Sequence, residues 1–273
     1  MDFETGPSLP APLAGGQVHV WHCAVGDVRP FRQEWFSAEE KARADRFSLE
    51  TPKAQFIAAR TVLRAVLGQY LGRDPASLEF SIGEYGKPAL RGTPGLEFNI
   101  SHSGGRIMLA LARDTPVGVD IEARRRLDHL DTLARRCLAP CEYAELSGLD
   151  TDAMTRGFLR LWVRKEALGK ASGRGMALGL QRCVSSLAGP PRWLEIPPES
   201  GPVGSWSLAE IPVREEFEAA VTVHAANARF YWGGIGLDGE TLKFEKLKSL
   251  LYATPDCVLG NNAAADSSRY PSR

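Results

Sequence analysis

The chain has 273 residues, 44% of them apolar, enough to bury a sizeable core in one large domain or two small ones, which argues against global disorder. Basic and acidic residues balance at 33 each, so no net field recruits nucleic acid or a membrane surface, and any anion binding must come from local clusters. Five cysteines at 23, 137, 141, 183 and 257 are odd in number and irregularly spaced, a pattern of reduced thiols and not of a disulfide framework. The first residues lack the basic start and apolar run of a signal peptide, and no stretch nears the roughly 20 apolar residues of a membrane span. A cytoplasmic address is expected.

In chain order, residues 1–16 read as a loose leader, and Val18 to Cys23 as a first strand. Ser37 with Glu40 three residues on gives a capping box that opens a helical stretch. From about Pro52 to Leu71 the stripe Phe56, Ala59, Val62, Leu63, Val66, Leu67 and Tyr70 predicts a stronger helix ended by Gly72. Leu78–Ile82 and Leu96–Ile100 read as strands. Ile107–Ala112 and Val117–Glu122, joined by Asp114-Thr115-Pro116, are expected to form a β-hairpin. Helices follow from about Leu127 to Arg136, Pro140 to Leu149 and Asp152 to Ala171, the last ended by Ser172-Gly173-Arg174-Gly175. Gly204–Ile211 and Glu218–Ala225 are further strands, Leu242–Tyr252 reads as a short amphipathic helix, and 253–273 as a disordered tail. This order suggests an α+β protein of two halves meeting near Pro116.

Chemistry concentrates in few places. In Asp120-Ile121-Glu122 the two carboxylates share one strand face while Val119 and Ile121 share the other. Side by side they repel unless a cation lies between them, and oxygen ligands favour Mg²⁺ or Mn²⁺ over zinc. Glu166 and Lys170 lie one turn apart on the long helix, with Lys165 adjacent around the cylinder. Asn99-Ile100-Ser101-His102-Ser103-Gly104-Gly105 ends a strand in small residues whose N–H groups can approach an anion, and His102 adds a donor. Gly86-Lys87-Pro88 sets a lysine on a fixed turn, and Lys41, Arg43, Arg46, Arg60 and Arg64 form a basic string suited to a polyphosphate. Each motif alone also fits a solvated surface. Cys137 and Cys141 lack the second ligand pair of a zinc site, and His19 and His22 read as structural.

Taken in order, Gly86-Lys87-Pro88, Phe98 to Ser103, Val117 to Glu122 and Trp162-x-x-Lys165-Glu166-Ala167-x-x-Lys170-x-x-Gly173-x-Gly175 resemble the 4′-phosphopantetheinyl transferase superfamily, in its larger surfactin-synthetase-activating (Sfp) type. The resemblance spans roughly residues 18–230. It implies two similar α/β halves packed as a pseudo-dimer, 17–116 and 117–235, with 236–273 as an extension. It implies metal binding by Asp120, Glu122 and Glu166, and phosphate contacts from Lys165, Lys170 and His102. Arg43, Gly86, Lys87, Pro88 and Ser101 would help hold coenzyme A, and Glu142 resembles a glutamate suited to proton transfer. The implied partners are coenzyme A and an apo acyl or peptidyl carrier protein, with Mg²⁺ as cofactor, no nucleic acid or membrane, and a monomeric state. Metal-bound water, Glu166 and Glu142 all stay open as the base. A non-catalytic coenzyme A binder and a metal-dependent pyrophosphate-bond hydrolase would use the same groups.

Overall fold

The computed structural model describes residues 12–238 and 241–250. The first half contains β1 (Gln17–Ala24), α1 (Ala38–Asp45), α2 (Glu50–Leu71), the short pair β2 (Phe80–Ile82) and β3 (Pro88–Leu90), β4 (Leu96–Ser103) and β5 (Arg106–Arg113). The second contains β6 (Val117–Ala123), α3 (Leu130–Cys137), α4 (Pro140–Leu146), α5 (Thr151–Ala171), the pair β7 (Val184–Ser185) and β8 (Trp193–Glu195), β9 (Ser207–Glu210) and β10 (Phe217–Val223). β11 (Arg229–Asp238), β12 (Thr241–Phe244) and β13 (Lys248–Ser249) follow. The protein is α+β, as its sequence predicts.

Four layers stack as helix, sheet, sheet, helix. In the larger sheet, strands run β12-β11-β1-β5-β4, with β13 also on β11; the smaller sheet is β6-β10-β9. β5 shows how one strand serves two cores, because successive side chains alternate between faces. Ile107, Leu109 and Leu111 pack towards Val62, Leu63 and Leu67 of α2. Met108, Ala110 and Ala112 face Val119, Ile121 and Val221 of the smaller sheet. α5 covers the outer face of that sheet through Val163, Leu168 and Ala171, against Leu208 and Ala220. Burial on both faces explains why the strand reads as a nearly continuous apolar run.

The expected hairpin between 107–112 and 117–122 does not form. β5 pairs with β4 and β1, whereas β6 pairs with β10 in the other sheet. The hairpin turn lies one connection earlier, at Gly104-Gly105, whose φ values of 54° and 76° suit the two-residue loop in which both central residues need positive φ. Asp114-Thr115-Pro116 instead passes the chain from one sheet to the other. The expected helix at 242–252 is also replaced, in its described part, by β12 and β13 on the edge of β11. A segment of about 11 residues is marginal as a helix, and an open strand edge offers it stronger pairing. β11 itself, in the second half by sequence, runs parallel to β1 in the sheet of the first. Tyr252 and the tail expected at 253–273 lie outside the described residues.

Gly118 sets the distance between β6 and α5. A Cβ built there would lie 2.0 Å from the Ala167 carbonyl oxygen and 2.5 Å from the Ala171 nitrogen, both backbone atoms. Gly118→Ala should therefore lower stability by about 3 kcal/mol, the upper range for overpacking, and shift the helix that carries Glu166 and Lys170. A denaturant midpoint unchanged from wild type would contradict this.

Candidate active site

Three elements converge on one open cavity of about 280 Å³ lined by Ile100, Ser101, His102, Asp120, Glu122, Trp162, Glu166 and Lys170. β4 supplies the first three, β6 the carboxylate pair and α5 the last three. Val119 and Ile121 are buried between the sheets, which turns Asp120 and Glu122 to the opposite face of β6. Trp162, Glu166 and Lys170 follow one another at four-residue intervals and so form a stripe along α5. That interval is the sequence signal for Trp162, which the expected site residues omit.

The polar contacts are dense around Asp120, which is 4% exposed. Its Oδ1 accepts from the Ser101 hydroxyl at 2.7 Å and from the Lys170 ammonium at 2.6 Å. Lys170 also donates to Ser101 Oγ at 3.1 Å. Glu122 Oε2 accepts from the Ser103 hydroxyl at 2.8 Å. Two carboxylate oxygens, Asp120 Oδ2 and Glu166 Oε1, are buried without a hydrogen-bond partner. Burial raises the pKa of Glu166 above the ordinary glutamate value, and the charges of Asp120 and Glu122 push the same way against the opposing pull of Lys170. Buried acceptors left unpaired beside like charges are costly, and a hard cation supplies what they lack. The donor set is all oxygen and fits Mg²⁺ or Mn²⁺ better than zinc. The three carboxylates are not drawn into a finished cage, since no group of three His, Cys, Asp or Glu among the described residues stands at metal-holding distance.

A basic rim adjoins the carboxylates. Burial lowers the pKa of His102, and the nearby charges of Lys170, Arg43 and Arg60 lower it further against a raising backbone hydrogen bond. Arg43 and Arg60 both stack on Phe56, at 5.2 and 5.6 Å from its ring centre. Arg64, from the same basic string, is structural instead. It is buried, pairs with Glu40 at 2.7 Å and donates to the carbonyls of Pro75 and Leu78.

Several expected site residues sit elsewhere. Lys165 is fully buried and turned from the cavity, because it lies about 100° around the helix from Glu166. Its ammonium meets Glu142 at 2.5 Å and donates to the carbonyls of Leu180 and Cys183. Glu142, 2% exposed, also accepts the N–H groups of Ala139 and Ser185. The pair locks α4 to α5 and to β7, and neither member reaches the cavity. Lys87 bridges the halves, donating to the carbonyls of Val117 and Ala171 at 3.1 and 3.3 Å. Gly86, with φ of 85°, makes its turn, and Pro88 lines a separate cavity of about 310 Å³ beneath the β3–β4 loop. That cavity touches β4 at Leu96–Phe98, whereas the carboxylate cavity touches it at Ile100–His102. His19 is structural as expected, buried with its Nδ1 2.7 Å from the Tyr70 hydroxyl, and burial pushes its pKa down to about 4.

Comparison with known proteins gives this arrangement a family. Residues 29–113 match the "4′-phosphopantetheinyl transferase, N-terminal" family, and residues 116–210 match the "4′-phosphopantetheinyl transferase superfamily". The chain is 33% identical to the 4′-phosphopantetheinyl transferase HetI of Nostoc sp. over 234 residues, covering 82% of this chain and 94% of that one. It is 31% identical to the transferase Sfp of Bacillus subtilis, over 56% of this chain and 70% of that one. The Thermotoga maritima holo-[acyl-carrier-protein] synthase structure overlaps at a TM-score of 0.33 and 15% identity, over 49% of this chain and 84% of that one; a match this distant carries no weight. The chain belongs to the 4′-phosphopantetheinyl transferase superfamily and is an enzyme of that class.

Proposed function

We propose that the protein moves 4′-phosphopantetheine from coenzyme A to a serine of an apo acyl or peptidyl carrier protein, releasing 3′,5′-ADP. The supporting observation is the pair of buried, partnerless oxygens on Asp120 and Glu166 in a cavity that also holds Lys170 and His102. Asp120, Glu122 and Glu166 would hold Mg²⁺, which when bound supplies charge neutralisation for the pyrophosphate.

The chain's own groups then position and balance charge, which phosphoryl-type transfer needs more than covalent help. The serine oxygen forms a bond to the phosphorus that carries pantetheine, and the bond from that phosphorus to the bridging oxygen breaks. Lys170 and His102 face the charge that grows on the departing phosphate. Of the two carboxylates open as acceptors of the serine proton, Glu166 lines the cavity and Glu142 does not. A basic rim of Arg43 and Arg60 suits the remaining phosphate of the nucleotide. Because one chain provides both sides of the cavity, we read the protein as a monomer. No helix among the described residues is long and apolar enough to cross a membrane.

The test is incubation with coenzyme A, Mg²⁺ and a panel of apo carrier domains, followed by intact-mass spectrometry. At least one carrier should gain a single phosphopantetheine. Hydrolysis of coenzyme A with every carrier unchanged would point to a pyrophosphate-bond hydrolase, and binding without turnover to a non-catalytic coenzyme A protein. Either result overturns the proposal.

A further inference from the structure

Two sheet edges meet at the site without a backbone ladder between them. β4 ends the larger sheet and β6 ends the smaller one. Among the described residues β4 pairs with β5 alone and β6 with β10 alone. Side chains at alternate positions of β4 join the edges instead. Asn99 Oδ1 accepts the Val119 N–H at 2.9 Å. Ser101 donates to Asp120, and Ser103 donates to Glu122 while accepting the Ala123 N–H at 3.1 Å. Alternate residues of a strand share a face, so the three reach the same way. Asn99 and Ser103 satisfy backbone N–H groups that a buried strand edge would otherwise leave unpaired.

For the carboxylates the contacts are selective. Each serine takes one oxygen: Oδ1 of Asp120 and Oε2 of Glu122. Asp120 Oδ2 is left buried and unpartnered. A hydroxyl has one proton to donate, and that of Ser101 is committed to Asp120. It cannot also donate to a phosphate while that bond holds.

We infer that Ser101 and Ser103 are positioning residues for the divalent ion, each fixing one oxygen of Asp120 and Glu122 so that the other is free to ligate. This rests on the divalent-ion reading proposed above. Hydrogen-bond partners behind a ligand commonly set its affinity for the ion.

The test is a Mn²⁺ titration of the full-length protein, read by electron paramagnetic resonance of the free ion, with coenzyme A saturating and no carrier present. Ser101→Ala and Ser103→Ala should each weaken Mn²⁺ binding by roughly 10-fold, while Ser103→Thr, which keeps the hydroxyl, restores wild-type affinity. Coenzyme A affinity without metal should hardly change. Should Ser101→Ala fail to fold, Ser103→Ala with its Thr rescue carries the test alone. Alanine variants that bind Mn²⁺ as wild type does, or that lose metal-free coenzyme A affinity to the same extent, overturn the inference. A wild-type protein that takes up no Mn²⁺ overturns instead the ion reading beneath it.

Discussion

Glu166→Gln is expected to stabilise the metal-free protein and at the same time cut transfer by on the order of 100-fold or more, the usual scale for losing a group that stabilises transition-state charge. Both effects have one origin. Burial, with Asp120 and Glu122 beside it, raises the Glu166 pKa in the folded protein. Below the ordinary glutamate value, about 4.3, the side chain is protonated in both states and its contribution is complete. As pH rises through the raised folded value, the native state must ionise a disfavoured carboxylate, and stability falls. Glutamine removes that loss. At neutral pH the gain should be about 1 kcal/mol, typical of relieving a strained functional group, and it should vanish at acidic pH. Mg²⁺ should raise the melting temperature of wild type and not of the variant. Thermal scans from pH 4 to 8 beside a transfer assay would check this, and transfer within a few-fold of wild type would remove Glu166 from the ion site.

Lys165 and Glu142 should give the opposite pattern. Removing one member, as in Lys165→Met, leaves a buried carboxylate unpaired, which costs about 3–5 kcal/mol. The double variant with Glu142→Leu leaves neither charge of the pair behind, so it should be more stable than Lys165→Met alone. Recovery should be incomplete, because Ala139 and Ser185 lose an acceptor and the carbonyls of Leu180 and Cys183 lose a donor. The double variant, once folded, should retain most of its transfer rate, since neither side chain lines the cavity. Urea titrations of the single and double variants give the coupling energy directly. A folded double variant without activity would return this pair to the chemistry.

Much of the molecule was legible in local patterns. The Ser37–Glu40 capping box forms as written, with both reciprocal bonds present. The stripe on α2 and the stop at Gly72 place that helix to within two residues. The alternation Val119-Asp120-Ile121-Glu122 gave the orientation of the carboxylates. Sequence was less informative where partners lie far along the chain. Ile107–Ala112 is apolar at every position, so periodicity could not say that its partners were β1 and β4 and not β6. β11 carries Phe230-Tyr231-Trp232 just after its first residue, a strand signal, but Gly233 and Gly234 mask it. Those glycines make room for Trp21 and Glu245, which a Cβ would meet at 2.9 and 2.6 Å. The phosphate contact implied for Lys165 rests on the motif resemblance, whereas its place about 100° around α5 from Glu166 turns it to Glu142; the four-residue interval of Trp162, Glu166 and Lys170 is what marks a shared helix face.

The parallel pairing of β1 with β11 ties residues 17–22 to residues 229–234. During synthesis the first strand emerges early, with one flank open, and the segment that closes it emerges some 200 residues later. A chain stopped before residue 229 would present that flank to any neighbour able to add a strand. Late closure of so distant a pair is entropically demanding and slows assembly. Completion of the first half thus waits on the second, and fragments cut at Pro116 cannot be expected to behave as independent parts.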